Sequence, residues 1–276
     1  YVIMSLISKN IVKLKEEFVK IYDGNSHVQE VLPIKKTEFL PIDDEHLSLL
    51  HKFLENNPIY YNSFESKIFG IMCRVFEGDL NQFWIDSIKH DTSYAPFYPT
   101  WMLSAYALAL ESKNNGFLEL VDIGSGDGRI AFCGEVVGLH SNSIEIDESL
   151  CSLQENILQN MVVGFSIINE DATKIDYKTI KLVKPVFFIG GLPENGELLA
   201  ESIIKNILKL PKLEKNSCFA LTGTHAERTS AKNQSDFGWG VTTKKFNLKI
   251  IDILDLPTYW TMEQSFNTPY IFTNYS

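Results

Sequence analysis

The segment Val121-Asp122-Ile123-Gly124-Ser125-Gly126-Asp127-Gly128-Arg129-Ile130 decides how the rest of this 276-residue chain is read. It continues the apolar run Leu118–Ile123, a buried-strand pattern, and opens a helical stretch from Arg129 to Val137. Three alternate glycines between a strand and a helix allow a tight turn and a close approach of backbone to a ligand. The helix start adds unpaired N–H groups and the positive end of a dipole. Such a turn suits something polar or anionic. The dinucleotide fingerprint G-x-G-x-x-G places its third glycine where Arg129 stands. No G-K-[ST] follows, which excludes a Walker loop. Glu145, near the end of the next strand and about 20 residues on, is suited to gripping ribose hydroxyls.

Downstream of the turn, strand and helix patterns alternate. Ser143–Ile146, Phe165–Ile168, Val186–Ile189 and Cys218–Leu221 read as strands, with helices at Leu150–Gln159 and Leu198–Leu210 between them. Leu248–Leu254 and Tyr270–Thr273 read as a sixth and a seventh strand, joined without an obvious helix and so expected to pair antiparallel at an edge. This spacing predicts an α/β fold, a Rossmann-like, doubly wound and mainly parallel seven-stranded sheet. Ligands of such sheets sit at the carboxyl ends of the strands.

Upstream, the texture reads as a mostly helical extension. Ile7, Ile11, Leu14, Phe18 and Ile21 follow helical spacing, closed by Gly24 and Asn25. Val28–Ile34 reads as a short strand, and Asp43 and Asp44 as the N-cap region of a helix to Glu55. Phe64–Arg74 and Leu80–Ile88 are two further helical expectations. The division expected is residues 1–95 for the extension and 96–276 for the sheet domain.

Composition narrows the partners. Hydrophobic residues make up 45% of the chain and charged residues 22%, enough apolar material for a packed core and not a disordered chain. Twenty-five Lys and Arg stand against 35 Asp and Glu, a net charge of −10 that disfavours phosphate-bearing nucleic acids and favours basic partners. Cys73, Cys133, Cys151 and Cys218 are far apart, and the six histidines have no ligand spacing, so neither a metal site nor a disulfide framework is expected. His46 and His51 are expected on one helix surface. The apolar stretch Tyr1–Ile7 is too short for a signal peptide, and no apolar run reaches the roughly 20 residues of a membrane span. The expectation is a soluble, cytoplasmic protein.

V-D-I-G-S-G-D-G-R-I followed by S-I-E-I-D-E resembles motifs I and II of class I S-adenosylmethionine-dependent methyltransferases. The longer stretch D-I-G-S-G-D-G-R-I is similar to a narrower group, the archaeal protein-lysine methyltransferases and their mitochondrial relatives. That group carries a P-T element before the first strand, and this chain has F-Y-P-T-W at Phe97–Trp101. The resemblance runs from about residue 95 to the end of the chain. It implies S-adenosyl-L-methionine as cofactor, with Gly124, Ser125, Gly126 and Gly128 cradling its methionine and ribose portion. It implies that Asp122 holds the loop or reaches the amino group, and that Glu145 accepts from the ribose hydroxyls. Asp171, in N-E-D-A-T, would accept from the adenine amino group, with Ala172 offering its N–H. Tyr98 and Thr100 would close over the cofactor. Asp127 and Arg129 read, by contrast, as an N-cap and a first-turn surface residue.

Methyl transfer from a sulfonium needs alignment and desolvation more than a nucleophilic side chain. The loop F-F-I-G-G-L-P-E-N-G-E, Phe187–Glu197, lacks the [DN]-P-P-[YF] motif of many N-methyltransferases and the aspartate-bearing loop of spermidine synthases. Leu192 and Pro193 instead offer an apolar wall for the methyl acceptor, similar to the lysine-methylating group. A lysine acceptor, with a pKa near 10.4, loses its proton at pH 7 at a cost of about 4.6 kcal/mol. An apolar aromatic channel beside a cation lowers that cost by desolvation and like-charge repulsion. Tyr94, Phe97, Tyr98 and Trp101 are the channel residues expected, and basic proteins the substrates.

Overall fold

The computed structural model describes residues 2–83, 97–191, 193–223, 239–257 and 267–275. The glycine-rich turn follows strand β4 (Glu119–Ile123) and opens helix α4 (Arg129–Val136). Strands β5 (His140–Glu145) and β6 (Ser166–Asn169) lie to one side of β4, and β7 (Pro185–Gly191) and β8 (Cys218–Gly223) to the other. The last two strands, β9 (Leu248–Leu256) and β10 (Thr268–Tyr275), complete a sheet of order β6-β5-β4-β7-β8-β10-β9. The first five strands in this order are parallel, while β10 runs antiparallel to both β8 and β9. This is the Rossmann-like, doubly wound α/β sheet of seven strands, with the antiparallel pair at one edge.

Strand parity explains the two layers. Alternate side chains point to opposite faces. Leu120, Val186, Phe188, Ala220 and Phe272 face one core, and Val121, Ile123, Phe187, Ile189, Phe219, Leu221 and Ile271 face the other. The second face is covered by α6 (Pro193–Leu208), whose Ala200, Ile203, Ile204 and Ile207 follow helical spacing, with α7 (Pro211–Glu214) and α8 (Trp239–Lys245). The first face is covered by α3 (Met102–Asn114), α4 and α5 (Glu148–Leu158). Helix α6 starts five residues before the Leu198 start read from the sequence.

The first 80 residues add to that first face. Helix α1 (Val2–Ile21) packs on α3 and β9, and α2 (Asp44–Glu55) on α4. Strand β1 (Val28–Pro33) is buried along its whole length. One apolar core runs from Ile7 on α1 to Phe272 on β10.

The extension is less helical than expected. The stretch Phe64–Arg74 is a β-hairpin, made of β2 (Tyr60–Ile68) and β3 (Ile71–Gly78), in a sheet of order β1-β3-β2. Phe69 and Gly70, at φ 49° and 79°, form its two-residue turn between Ile68 and Ile71. Phe64, Ile68 and Ile71 fall at helical spacing by coincidence. The edge strand β2 is largely exposed and carries no alternation to correct the reading. Of Leu80–Ile88, residues 81–83 are helical and residues 84–88 lie outside the described residues.

His46 and His51 are half-buried, and each reaches a partner on another segment. His46 Nδ1 is 2.8 Å from the Tyr106 hydroxyl, and His51 Nε2 is 2.8 Å from the Pro33 carbonyl. Among the described residues, no helix is long and apolar enough to cross a membrane.

Candidate functional site

The turn is built on three left-handed glycines. Gly124, Gly126 and Gly128 have φ of 66°, 59° and 79°, a region that side chains other than glycine rarely adopt. Gly126 and Gly128 are also closed from behind. A Cβ on Gly126 would lie 2.4 Å from the Phe97 ring, and one on Gly128 2.5 Å from the Phe165 ring. A Cβ on Gly124 would meet nothing within 4 Å. The open side of the turn is therefore at Gly124, at the carboxyl end of β4.

Buried hydrogen bonds hold the turn in place. Glu145 at the tip of β5 accepts from Gly126 N at 2.8 Å and from Asp147 N at 3.0 Å. Burial pushes its carboxyl above the usual range, against those same N–H donors. A carboxylate has about four acceptor positions, so two N–H bonds leave room for hydroxyl donors. Ser125, counted on the sequence among the cradle residues, turns its hydroxyl inward to Ser143 (2.6 Å) and Gln154 (2.9 Å). Gln154 also donates to the Gly126 carbonyl at 2.8 Å. The sequence reading missed Gln154. Its signal was a polar residue inside the apolar stripe Leu150, Leu153, Ile157 of α5.

Asp122 faces the helix that follows. Its Oδ2 accepts from Ala131 N at 3.3 Å, satisfying one of the unpaired donors in the first turn of α4. Burial pushes its pKa up to about 8, against the Ala131 N–H and with help from Glu145 and Asp127. Between about pH 4 and pH 8 the folded chain therefore holds a proton that the unfolded chain has released. Stability contributed here is full below pH 4 and falls as pH rises to 8. Asp122→Asn cannot titrate, so its stability relative to wild type is expected to rise between pH 5 and pH 8 in urea unfolding. A difference that stays flat with pH would remove this assignment.

Other expected residues are placed as follows. Asp171, just beyond β6, accepts from Thr173 N (2.9 Å) and Thr173 Oγ1 (2.7 Å) and pairs with Lys174 Nζ at 3.2 Å. Ala172 is buried, and its carbonyl accepts from the Tyr177 hydroxyl at 2.7 Å. Tyr98 is 38% exposed, while Phe97 is buried against Gly126. Trp101 departs from its expected place in a channel. It is 1% exposed, and Lys15 Nζ of α1 lies 5.1 Å from its ring centroid. The ring is enclosed in the interior beside Lys15. Pro193 is the first residue of α6. Leu192 and Tyr94 lie outside the described residues.

Arg129 is the largest correction. Expected on the surface, its guanidinium is 2% exposed and engages four groups. It donates to Glu30 Oε1 at 2.5 Å, to the Thr100 carbonyl at 2.7 Å and to the Tyr60 hydroxyl at 2.9 Å. Asp127 takes Nη2 at 2.6 Å and Nε at 3.0 Å. Asn57 Nδ2 reaches Asp127 Oδ2 at 3.1 Å, and Glu30 Oε2 accepts from Met102 N at 2.8 Å. Asp127 is thus an inward-facing ion partner as well as an acceptor for Arg129 N (3.2 Å).

The sequence matches no protein-family profile and no curated protein. Solved structures of similar shape include the glycopeptide N-methyltransferase MtfA complexed with S-adenosyl-L-methionine. It is 11% identical over 68% of this chain and 100% of that one, with a TM-score of 0.49. Another is the magnesium protoporphyrin IX methyltransferase of Synechocystis PCC 6803 with bound SAH. There the identity is 12% over 63% of this chain and 81% of that one, with a TM-score of 0.45. A third is an S-adenosylmethionine-dependent methyltransferase from Clostridium acetobutylicum ATCC 824, 10% identical over 63% and 91%, with a TM-score of 0.45. The fold assignment itself rests on the strand order.

Proposed function

We propose that the chain is an S-adenosyl-L-methionine-dependent methyltransferase that methylates lysine side chains of proteins. One observation carries the cofactor: the three-glycine turn and the Glu145 carboxylate meet at the carboxyl ends of neighbouring strands, with open space at Gly124. Dinucleotide-binding sheets have the order 3-2-1-4-5-6. Here an antiparallel strand is inserted between the fifth and sixth, which argues against a nicotinamide enzyme.

When bound, the cofactor supplies an activated methyl group. The chain supplies the rest. Gly124 leaves room for the ligand, Glu145 accepts from paired hydroxyls, and Asp122 orients the start of α4 below them. Asp171 and Ala172 stand beyond the neighbouring strand end, where the resemblance puts the adenine. Tyr98 and Thr100 come from the segment packed against the turn. The net charge of −10 supports basic protein substrates over nucleic acid.

Glu145→Gln is expected to weaken cofactor binding roughly hundredfold, taking about 1.5 kcal/mol for each of two hydrogen bonds to the charged group. Calorimetric titration reads this directly, and an unchanged affinity would remove Glu145 from the site. The acceptor is tested by incubating the protein with methyl-labelled cofactor and a cell lysate, then separating protein, RNA and small molecules. Label on lysine in the protein fraction supports the reading. Label in RNA or small molecules overturns the acceptor and keeps the cofactor.

A further inference from the structure

Arg129 joins segments far apart in sequence. Glu30 on β1, Asn57 before β2 and Tyr60 at its start all belong to the first third of the chain. Thr100 belongs to the segment that seals the back of Gly126, and Asp127 lies between two left-handed glycines of the turn. Lys15 on α1, also buried, lies near Glu30, and burial lowers its pKa to about 7. One guanidinium and two carboxylates are therefore enclosed together, with Lys15 beside Glu30.

Burying such a cluster is a poor route to stability alone, since apolar residues of similar volume often serve as well or better. A charged fork satisfied on every side instead fixes geometry. The fork here fixes the positions of Asp127 and of the Thr100 carbonyl, and both flank the cradle. Nothing else among the described polar contacts ties β1 to the turn.

We infer that Glu30, on the N-terminal extension, is a positioning residue for the cofactor turn, acting through Arg129. The extension is then part of the cofactor site and not an appendage that only meets substrate. By linkage, anything that orders the extension tightens cofactor binding, and cofactor orders the extension in return. This rests on the reading of the turn as an S-adenosyl-L-methionine site.

The test is titration of S-adenosylhomocysteine into wild type and Glu30→Gln, well below the unfolding temperature of both. Glu30→Gln keeps the shape and removes the charge. Its dissociation constant is expected to rise about tenfold with an unchanged far-ultraviolet spectrum. A folded variant with a lower melting temperature but a constant within about twofold of wild type has a merely structural Glu30, which overturns the assignment. If Glu30→Gln does not fold, amide exchange on the wild-type chain decides. Saturating S-adenosylhomocysteine is expected to slow exchange at Val28–Pro33 and Met102 as well as at the turn. Slowing confined to residues 124–131 overturns the assignment. Failure of the wild-type chain to bind overturns the functional reading and this assignment together, whereas equal binding by both proteins overturns only the latter.

Discussion

Arg129→Leu is expected to lower the stability of the fold by about 3–5 kcal/mol, the range for breaking a buried ion pair from one side. The guanidinium satisfies the carboxylates of Glu30 and Asp127 at once. Leucine leaves both enclosed without a permanent cation beside them, since burial lowers the pKa of Lys15, near Glu30, to about 7. Glu30 already has its pKa raised by burial, opposed chiefly by the Arg129 charge. Removing that charge pushes the carboxyl further toward its protonated form. The loss is therefore expected to be larger at pH 8 than at pH 5, where Glu30 takes up a proton more readily. Urea unfolding of the two proteins at both pH values measures it. A loss below about 1 kcal/mol would mean that water reaches the cluster in solution and that the ion pairs behave as exposed ones.

Gly124→Ala is expected to weaken cofactor binding about a hundredfold while leaving the fold largely intact. The added methyl meets no protein atom within 4 Å, so its cost to folding is the left-handed backbone alone, roughly 1–2 kcal/mol. The same methyl stands on the open side of the turn, where a small displacement of the ligand costs about a hundredfold in productive binding. Gly126→Ala and Gly128→Ala give the contrast. Their methyls strike the Phe97 and Phe165 rings from behind, so stability and binding are expected to fall together. Thermal unfolding and calorimetric titration of the three variants separate the two effects. Wild-type affinity in Gly124→Ala would place the ligand elsewhere.

The sheet was legible because its strands are short apolar runs punctuated by turn residues, and because strand and helix periods alternate regularly from Leu118 onward. The place of Glu145 was legible for the same reason: it follows from one strand end and a fixed spacing. The hairpin Tyr60–Gly78 was not, since an exposed edge strand has no buried face to impose alternation, and Phe64, Ile68 and Ile71 mimic a helix. Arg129 was misread because nothing local marks an arginine as buried. Its partners Glu30, Tyr60 and Thr100 lie 99, 69 and 29 residues away. Only tertiary structure brings them together. The burial of Trp101 was hidden for a similar reason, since the lysine beside its ring comes from α1.

The turn at Gly124–Gly128 and the Glu145 carboxylate are proposed to form a site for S-adenosyl-L-methionine. Titration of S-adenosylhomocysteine and of NAD into the wild-type chain tests it most directly, with thermal unfolding as the parallel readout. One molecule of S-adenosylhomocysteine bound per chain, stabilising the fold by about 2.7 kcal/mol at a hundredfold excess over its dissociation constant, is the expected result. NAD is expected to leave both signals unchanged. Binding of NAD in its place, or no response to either compound, would rule out a site for S-adenosyl-L-methionine.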